Sequence, residues 1–220
     1  MSEIYEDKVS ERQEKKVAAK PIPERYLKRF KYLLEEKSKE FKDRNITLFE
    51  LGVSTGYRSQ DLVSLTIGEI QEALDLGFFQ IQEQKQYKSY LTYMKKNPNS
   101  KKRPPKKRKV GIGATLDKTL RDFIKGKRKS RYAFESKKGK HISRKAFSRI
   151  LTEVGTELGL SAISGHSMRK TYARKIYDRY GDVERVRQRL GHKSIETTKE
   201  YLGLYDENIE EDASLFDDIF

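Results

Sequence analysis

A histidine, an arginine, a second histidine and a tyrosine follow one another at defined intervals in the segment from His166 to Tyr201. His166 lies three residues before Arg169, and Gly191-His192 lies nine residues before Tyr201. These intervals are not those of a packing pattern. Guanidinium and imidazole groups are suited to holding a phosphodiester, and a phenol can attack it as a nucleophile. The segment therefore predicts chemistry on a phosphate group.

The composition favours a polyanionic partner. The 220 residues include 48 Lys and Arg against 33 Asp and Glu, which gives a formal net charge of +15. A bias of this size favours nucleic acid first and an anionic membrane surface second. Ten Phe and thirteen Tyr argue against global disorder, because disordered chains contain few aromatic residues. We therefore expect a folded protein that binds nucleic acid.

Several classes of protein are excluded by what the sequence lacks. No apolar run reaches the roughly 18 residues of a membrane-spanning helix, and the N-terminus lacks the apolar core of a secretory signal. The absence of cysteine excludes disulfides, thiolate catalysis and cysteine zinc sites. Three histidines leave little for a metal site. We expect an intracellular protein, cytoplasmic and associated with the nucleoid, that uses no metal and no cofactor.

Apolar periodicity and capping residues predict the helices that must position the candidate side chains. A first helix begins after Pro23, and Arg58 lies at the junction between an apolar helix and a short helix that starts at about Ser59. Gly181 is suited to end a helix. The other predicted helices cover residues 46–53, 114–125, 143–158, 166–180 and 182–190, with a short last helix, capped by Ser194 or Thr197, that carries Tyr201.

Two short strands are predicted among these helices. Residues 77–85 alternate in part between apolar and polar side chains, and residues 108–112 form a second candidate strand. The two strands would pair as a hairpin, with residues 86–107 as a long insertion in the connection. The predicted fold class is therefore α+β, mainly helical, with a small antiparallel β-sheet on one edge.

The predicted insertion is basic and contains tyrosines. From Lys85 to Lys109 the chain has eleven Lys and Arg residues and no acid. Basic residues interleaved with aromatic ones are suited to the DNA backbone, through phosphate neutralisation and release of counterions. A flexible, solvated loop is an equally weighted alternative. The candidate DNA contacts are Lys88, Lys95, Lys96, Lys101, Lys102, Arg103, Lys106, Lys107 and Arg108.

Five short motifs together resemble the catalytic signature of the tyrosine recombinases, the phage-integrase family. They are GYRSQDL around Arg58, Lys85 at the end of the first predicted strand, HSMR from His166 to Arg169, LGH ending at His192, and TTKEYLGL around Tyr201. The resemblance covers roughly residues 24–205. Each motif alone is weak, but their order, context and intervals match as a set.

The resemblance implies roles for two arginines and the tyrosine. Arg58 and Arg169 would hold the two non-bridging oxygens of a DNA phosphate, because guanidinium groups offer forked donors that stay protonated. Tyr201 would be the nucleophile and form a 3′-phosphotyrosine link to DNA. Since a phenol is mostly protonated at neutral pH, a neighbouring base or cation must activate it.

The resemblance also assigns the remaining catalytic candidates. His166 would help to activate Tyr201, and His192 would hydrogen-bond the phosphate. Lys85 would protonate the 5′-hydroxyl leaving group, although Lys88 lies on the same hairpin and is an alternative. The reaction would need neither metal nor ATP.

Three segments are predicted. Residues 1–20 form a mobile arm, residues 21–205 form a tyrosine-recombinase catalytic domain, and residues 206–220 form an acidic tail. The tail is either a disordered acidic end or a short helix whose apolar face docks elsewhere. By the resemblance, it could dock onto a neighbouring protomer of a homotetramer on two sites in double-stranded DNA, as the family's C-terminal helix commonly does. Members of the family usually carry a further DNA-clamping domain before the catalytic one. The chain is therefore expected to be either a catalytic fragment or a minimal recombinase similar to the fimbrial invertases. In the second case, residues 86–107 would clamp the DNA.

Three functions are compatible with these features. The first is a site-specific recombinase of integrase or invertase type, which cleaves and rejoins DNA. The second is a nicking-closing enzyme that resembles type IB topoisomerases, which share this chemistry. The third is a catalytically silent DNA-binding protein of recombinase fold, and the intact set of candidate residues argues against it.

Overall fold

The computed structural model describes residues 17–204, and within them ten α-helices and one two-stranded sheet form the fold. Two short 3₁₀ helices, Glu24–Tyr26 and Lys39–Phe41, precede the first two α-helices. The elements are α1 (Leu27–Ser38), α2 (Lys42–Thr55), α3 (Ser59–Val63), α4 (Ile67–Leu76), β1 (Phe78–Ile81), α5 (Gln84–Lys96), β2 (Arg108–Gly111), α6 (Ala114–Ile124), α7 (Arg144–Glu157), α8 (Gly165–Tyr180), α9 (Val183–Leu190) and α10 (Ile195–Leu202).

The predicted fold class is confirmed: the chain is mainly helical, with a small antiparallel sheet. The predicted arm at 1–20 and tail at 206–220 fall largely outside the described residues. Within the described part, Lys20 is already attached to the domain, since its backbone N–H donates to the Ala162 carbonyl at 3.1 Å. No helix among residues 17–204 is long and apolar enough to cross a membrane.

Helix α2 is the centre of the main core. It packs against α1, α6 and α8, and its apolar side chains are buried because they recur at helical spacing. The rings of Phe30 and Phe49 stack between α1 and α2 with centroids 5.1 Å apart. Burial of each such side chain stabilises the fold by about 1.5–3 kcal/mol. The helix that leads to Arg58 is therefore held on three sides.

The turn after α2 is fixed by a glycine. Gly56 ends the helix in the left-handed conformation, at φ +60°, and its N–H donates to the Gly52 carbonyl. A left-handed end of this kind favours glycine because a β-carbon is strained there. The chain then runs through buried Tyr57 to Arg58, which precedes the first residue of α3.

The sheet is a short antiparallel hairpin beside α4. Phe78 pairs with Gly111 and Ile81 pairs with Arg108. The hydroxyl of Tyr57 donates to the Arg108 carbonyl and lies 3.3 Å from the Phe79 carbonyl oxygen. The turn after α2 is therefore attached to both strands.

The predicted strand over 77–85 was too long. Strand β1 ends at Ile81, and residues from Gln84 onward form α5, so Lys85 lies in a helix rather than at a strand's end. Tyr87, Tyr90, Leu91 and Met94 recur at helical spacing without Gly or Pro between them, which is the signal of a helix. The insertion at 86–107 is thus partly an ordered helix and not only a loop.

Helix α4 was not predicted, although its signal is in the sequence. Thr66 and Glu69 form a reciprocal capping box: the Glu69 N–H donates to the Thr66 hydroxyl, and the Glu69 carboxylate accepts from the Thr66 N–H. This T-x-x-E pattern marks a helix start.

The last three helices carry most of the candidate residues. Ser164 caps α8, as its hydroxyl accepts from the His166 N–H at 3.3 Å. Asp182 caps α9, and Gly191 ends it at φ +67°. Ser194, one of the two predicted capping residues, caps α10. A small second core formed by Ala173, Val186 and Leu190, with Tyr201 packed against it, joins the three helices.

Candidate active site

Arg58 projects from the junction of α2 and α3. Its side chain is 21% exposed and forms an ion pair with Glu83. Burial, together with the neighbouring charges of Arg169 and Arg108, lowers the pKa of Arg58 to about 10. The guanidinium therefore stays protonated at neutral pH, with one side open to solvent.

Arg169 is the most constrained candidate. Its Nη1 donates to the Gly56 carbonyl at 2.6 Å and to Glu83 Oε1 at 2.9 Å, while its Nη2 donates to the Leu190 carbonyl at 2.5 Å. The residue is 2% exposed, and burial lowers its pKa. These bonds fix the guanidinium between the end of α2, the hairpin and the end of α9.

Glu83 is a site residue that sequence reasoning missed. It is 2% exposed and forms ion pairs with Arg58, with Arg169 at 2.9 Å and with Arg108 at 3.5 Å. One signal was available: Glu83 is the only acid between Gly77 and Lys109. A lone acid in a segment this basic indicates a specific partner.

His192 follows the glycine that ends α9. Its Nδ1 lies 3.1 Å from the Thr198 hydroxyl, which itself donates to the Ser194 carbonyl at 3.2 Å. The Thr198 oxygen can thus accept from an Nδ1–H, and this tautomer leaves Nε2 unprotonated. Burial, with the charges of Arg169 and Arg58, lowers the pKa of His192 to about 4. The ring is therefore neutral at physiological pH.

Tyr201 lies on α10 with its ring edge-on to that of His192, at a centroid distance of 5.1 Å. Its hydroxyl is buried and makes no hydrogen bond of ordinary geometry to another described residue. Burial raises the pKa of Tyr201 to about 12, while the charges of Arg169 and Arg58 favour the phenolate. The Lys170 ammonium lies 5.0 Å from the ring centre. The phenol is thus held beside cations, with the Arg169 guanidinium near enough to stabilise its ionised form by hydrogen bonding.

His166 opens α8 and reaches solvent. Packing around the ring removes part of its hydration, and this, followed by the charges of Arg144 and Arg169, lowers its pKa. The same positive field includes contributions from Arg58 and Lys85. The site therefore keeps His166 neutral.

Lys85 and Lys88 are both exposed on α5. Lys85 lies in the first turn, two residues after Glu83, whereas Lys88 lies about one turn further along the helix. Lys85 also contributes to the positive field at His166. Lys85 is therefore the better placed of the two, although the strand on which it was predicted ends before it.

The candidate DNA contacts divide into two groups. All of the lysines and Arg103 are exposed on α5 or in the segment after it. Arg108 differs, because its side chain is only 8% exposed. It donates to the carbonyls of Arg189 at 2.6 Å and Thr55 at 3.0 Å, and its guanidinium lies 3.8 Å from the centre of the Tyr57 ring. This place in the interior does not favour the predicted DNA contact by Arg108.

The structure thus brings Arg58, Arg169, His192 and Tyr201 together from four separate elements, with His166 and Lys85 at the rim. Two guanidinium groups and a neutral imidazole can bind a phosphodiester, and a phenol beside them can attack it. Among residues 17–204, no group of three or more His, Asp or Glu side chains is placed to hold a metal ion.

The chain is similar in sequence to known integrases and recombinases. The chain is 26% identical over 174 residues to a probable integrase/recombinase, YoeC, of Bacillus subtilis, which covers 79% of this chain and 82% of that protein. It is 28% identical over 162 residues to a tyrosine recombinase, XerC, of Herpetosiphon aurantiacus, covering 72% of this chain and 47% of XerC. The chain spans about half the length of the Xer recombinases it matches.

Solved structures share the fold. A XerH site-specific recombinase bound to a palindromic difH substrate superposes with a TM-score of 0.61 at 21% identity, over 91% of this chain and 54% of that one. The Tn1549 transposon integrase in complex with a circular intermediate DNA superposes with a TM-score of 0.62 at 12% identity, over 92% of this chain and 67% of that one. The sequence profile described as the phage integrase family matches residues 22–208. Since that match covers most of the sequence, the chain belongs to the phage integrase family.

Proposed function

We propose that the chain is a site-specific DNA recombinase, of integrase or invertase type, that cleaves and rejoins DNA through a covalent link between Tyr201 and a 3′-phosphate. The proposal rests on the buried Tyr201 hydroxyl, which makes no hydrogen bond of ordinary geometry to the described residues and lies beside the guanidinium groups of Arg169 and Arg58. A buried polar group without a partner is destabilising, so its retention indicates a function.

The two arginines would act on the charge of the transition state. Attack on a phosphodiester concentrates negative charge on the non-bridging oxygens, and Arg58 and Arg169 are already fixed beside the nucleophile. Preorganised donors of this kind contribute about 3–4 kcal/mol each when tested by removal. Because neither guanidinium must reorganise far, their contribution would appear in the rate of cleavage.

Proton transfer would involve the two histidines and Lys85. Both imidazoles have lowered pKa values, so each is neutral and has a nitrogen able to accept a proton. The exposed Lys85 ammonium is free to approach the 5′-oxygen as the P–O bond breaks. The phosphotyrosine link retains the energy of the broken bond, so rejoining would require neither metal nor ATP.

DNA capture would involve the basic insertion. Helix α5 buries none of its residues and carries Lys88, Lys95 and Lys96 in exposed positions. The segment after it adds Lys101, Lys102, Arg103, Lys106 and Lys107, all exposed. An ordered, projecting cationic helix is suited to follow the phosphate backbone and to serve as the clamp.

Assembly and location complete the proposal. We infer a homotetramer on two DNA sites, with the tail at 206–220 docked onto a neighbouring protomer, in a cytoplasmic protein that associates with the nucleoid. The relatives are named integrases and recombinases, which does not favour the topoisomerase-like or silent alternatives.

Covalent trapping tests the function. The protein is incubated with nicked suicide duplexes from its own genetic neighbourhood, and DNA–protein adducts are separated under denaturing conditions. We expect an adduct that disappears in Tyr201→Phe and persists in the control Tyr180→Phe, which removes an exposed hydroxyl at the end of α8. An adduct on every sequence tested would instead indicate a nicking-closing enzyme. Binding without any adduct would indicate a silent DNA-binding protein.

A further inference from the structure

Glu83 holds the two arginines that the proposed reaction needs for the phosphate. Its buried carboxylate forms ion pairs with Arg58 and with Arg169, and Arg108 lies behind it at 3.5 Å. Carboxylates and phosphates are recognised by the same forked guanidinium donors. A carboxylate between Arg58 and Arg169 therefore occupies the kind of site that a phosphate would need.

Three of the five N–H donors of Arg169 are already engaged. Its Nη1 has two hydrogens, of which one bonds the Gly56 carbonyl and the other bonds Glu83. One hydrogen of Nη2 bonds the Leu190 carbonyl. The Nη1–H that a phosphate would take from this side is thus the one that Glu83 holds, and the two anions compete for it.

The position of Glu83 in the chain connects it to the basic insertion. Glu83 is the residue immediately before α5, and its side chain makes no capping bond to that helix. Four bonds tie the start of α5 to the domain. The Gln84 N–H donates to Asp61 Oδ1 at 3.0 Å, and the Gln84 side chain donates to the Ser64 hydroxyl at 3.2 Å and accepts from the Gln60 side chain at 3.0 Å. The Gln86 side chain donates to the Gly191 carbonyl at 3.2 Å. Apart from these bonds α5 buries none of its residues, so the helix is held at the end that adjoins Glu83, and a displacement of that end would move Glu83.

We propose that Glu83 is a positioning residue that occupies the phosphate site of the DNA-free enzyme, and that capture of DNA by α5 withdraws it from Arg58 and Arg169 so that the scissile phosphate can enter. The inference rests on the proposed function, because it takes that site to be the one for the scissile phosphate. The exchange replaces one anion by another, so Arg58 and Arg169 are never left without a counter-charge. The released carboxylate lies at the N-terminus of α5, where the helix dipole favours a negative charge.

Binding of inorganic phosphate to the full chain tests the proposal without any chemistry. Glu83→Gln keeps the size of the side chain and removes its charge, so we expect phosphate to bind at least tenfold more tightly than to the wild type, measured by calorimetry. The matched control is Asp61→Asn, which removes a second buried acid near Arg58 that forms no ion pair with it. We expect its effect to be less than about threefold. Equal gains in phosphate affinity in the two variants would overturn the proposal, because the loss of any nearby negative charge would then explain the tighter binding.

A second variant covers the case in which Glu83→Gln does not fold. Glu83→Asp retains the charge but shortens the side chain by one methylene, which withdraws the carboxylate from the arginines. We expect a smaller gain in phosphate affinity, in the same direction. Unchanged or weaker binding in the folded variants would show that Glu83 is a fixed counter-ion of the arginines.

The two proposals can fail separately. If Glu83→Gln binds phosphate more tightly but no DNA adduct forms at Tyr201, the competition is real and the strand-transfer function is wrong. If the adduct forms and Glu83→Gln gains no affinity, only the role of Glu83 is wrong.

Discussion

Gly56 faces the ring of Tyr172 so closely that a β-carbon at residue 56 would lie 2.7 Å from the Tyr172 Cγ. The contact brings the end of α2 against α8. The carbonyl of the same glycine accepts a hydrogen bond from Arg169 Nη1 at 2.6 Å. The absence of a side chain at residue 56 therefore sets the distance between the turn that carries Arg58 and the helix that carries Arg169.

Gly56→Ala should destabilise the fold and disturb the site. The left-handed backbone at φ +60° costs a non-glycine residue about 1–2 kcal/mol, and overlap with the Tyr172 ring adds about 1–3 kcal/mol. Urea unfolding measures the loss. Gly77→Ala is the matched control, because Gly77 has φ +75° but no atom within 4 Å of the added carbon. Equal losses in the two variants would show that Tyr172 does not limit the turn.

Tyr201→Phe should leave the fold intact or make it more stable. The Tyr201 hydroxyl is buried without a hydrogen bond of ordinary geometry to the described residues, so its removal should raise the free energy of unfolding by up to about 1 kcal/mol. Tyr57→Phe is the contrast, because that hydroxyl is bonded to the Arg108 carbonyl and its loss should cost about 1 kcal/mol. A clear loss of stability in Tyr201→Phe would mean that the hydroxyl has a structural partner.

Much of the fold and site could be predicted because the signals are local. Ser143 and Ser194 cap helices as predicted, and Gly181 and Gly191 end helices in the left-handed conformation. The candidate residues lie directly beside these signals. The order of capping residues and glycines therefore gave the helical ends from which Arg58, Arg169, His192 and Tyr201 project.

The sequence was least informative for residues whose positions depend on tertiary contacts. The segment that contains Arg108 looks uniformly basic. On β2, however, the Arg108 side chain points inward, where it forms an ion pair with Glu83 and lies over the Tyr57 ring. Glu83 has no motif of its own, because its partners come from residues far apart in the chain. Strand β1 was extended through Lys85, since its partial alternation continued to that point while the helical spacing of α5 began beside it.

The stability of the protein should fall in mild acid because of His192. Its pKa in the folded state, about 4, lies below the value of about 6.5 expected when unfolded. Between these values the unfolded chain binds more protons, so the free energy of unfolding decreases as the pH falls from about 6.5 to about 4. His166, whose pKa is also lowered, acts in the same direction.

His192→Gln isolates this contribution. Urea unfolding at pH 7.5 and pH 5 should show a smaller loss of stability on acidification in the variant than in the wild type. His141→Gln serves as the control for removing a histidine, since His141 lies in the loop before α7. An identical loss in wild type and His192→Gln would mean that the charges of Arg169 and Arg58 do not act on this ring.

Lys95 and Arg108 should respond differently to substitution, although both were predicted to contact DNA. Lys95→Ala removes an exposed charge on α5, so we expect weaker DNA binding on every sequence and a decrease of about 1 in the slope of log affinity against log salt. Arg108→Ala removes hydrogen bonds to the Thr55 and Arg189 carbonyls and the ion pair with buried Glu83, so we expect a loss of about 2–3 kcal/mol in stability. At temperatures where it remains folded, its salt slope should equal that of the wild type. A reduced salt slope in Arg108→Ala would show that its guanidinium leaves the interior to reach the DNA.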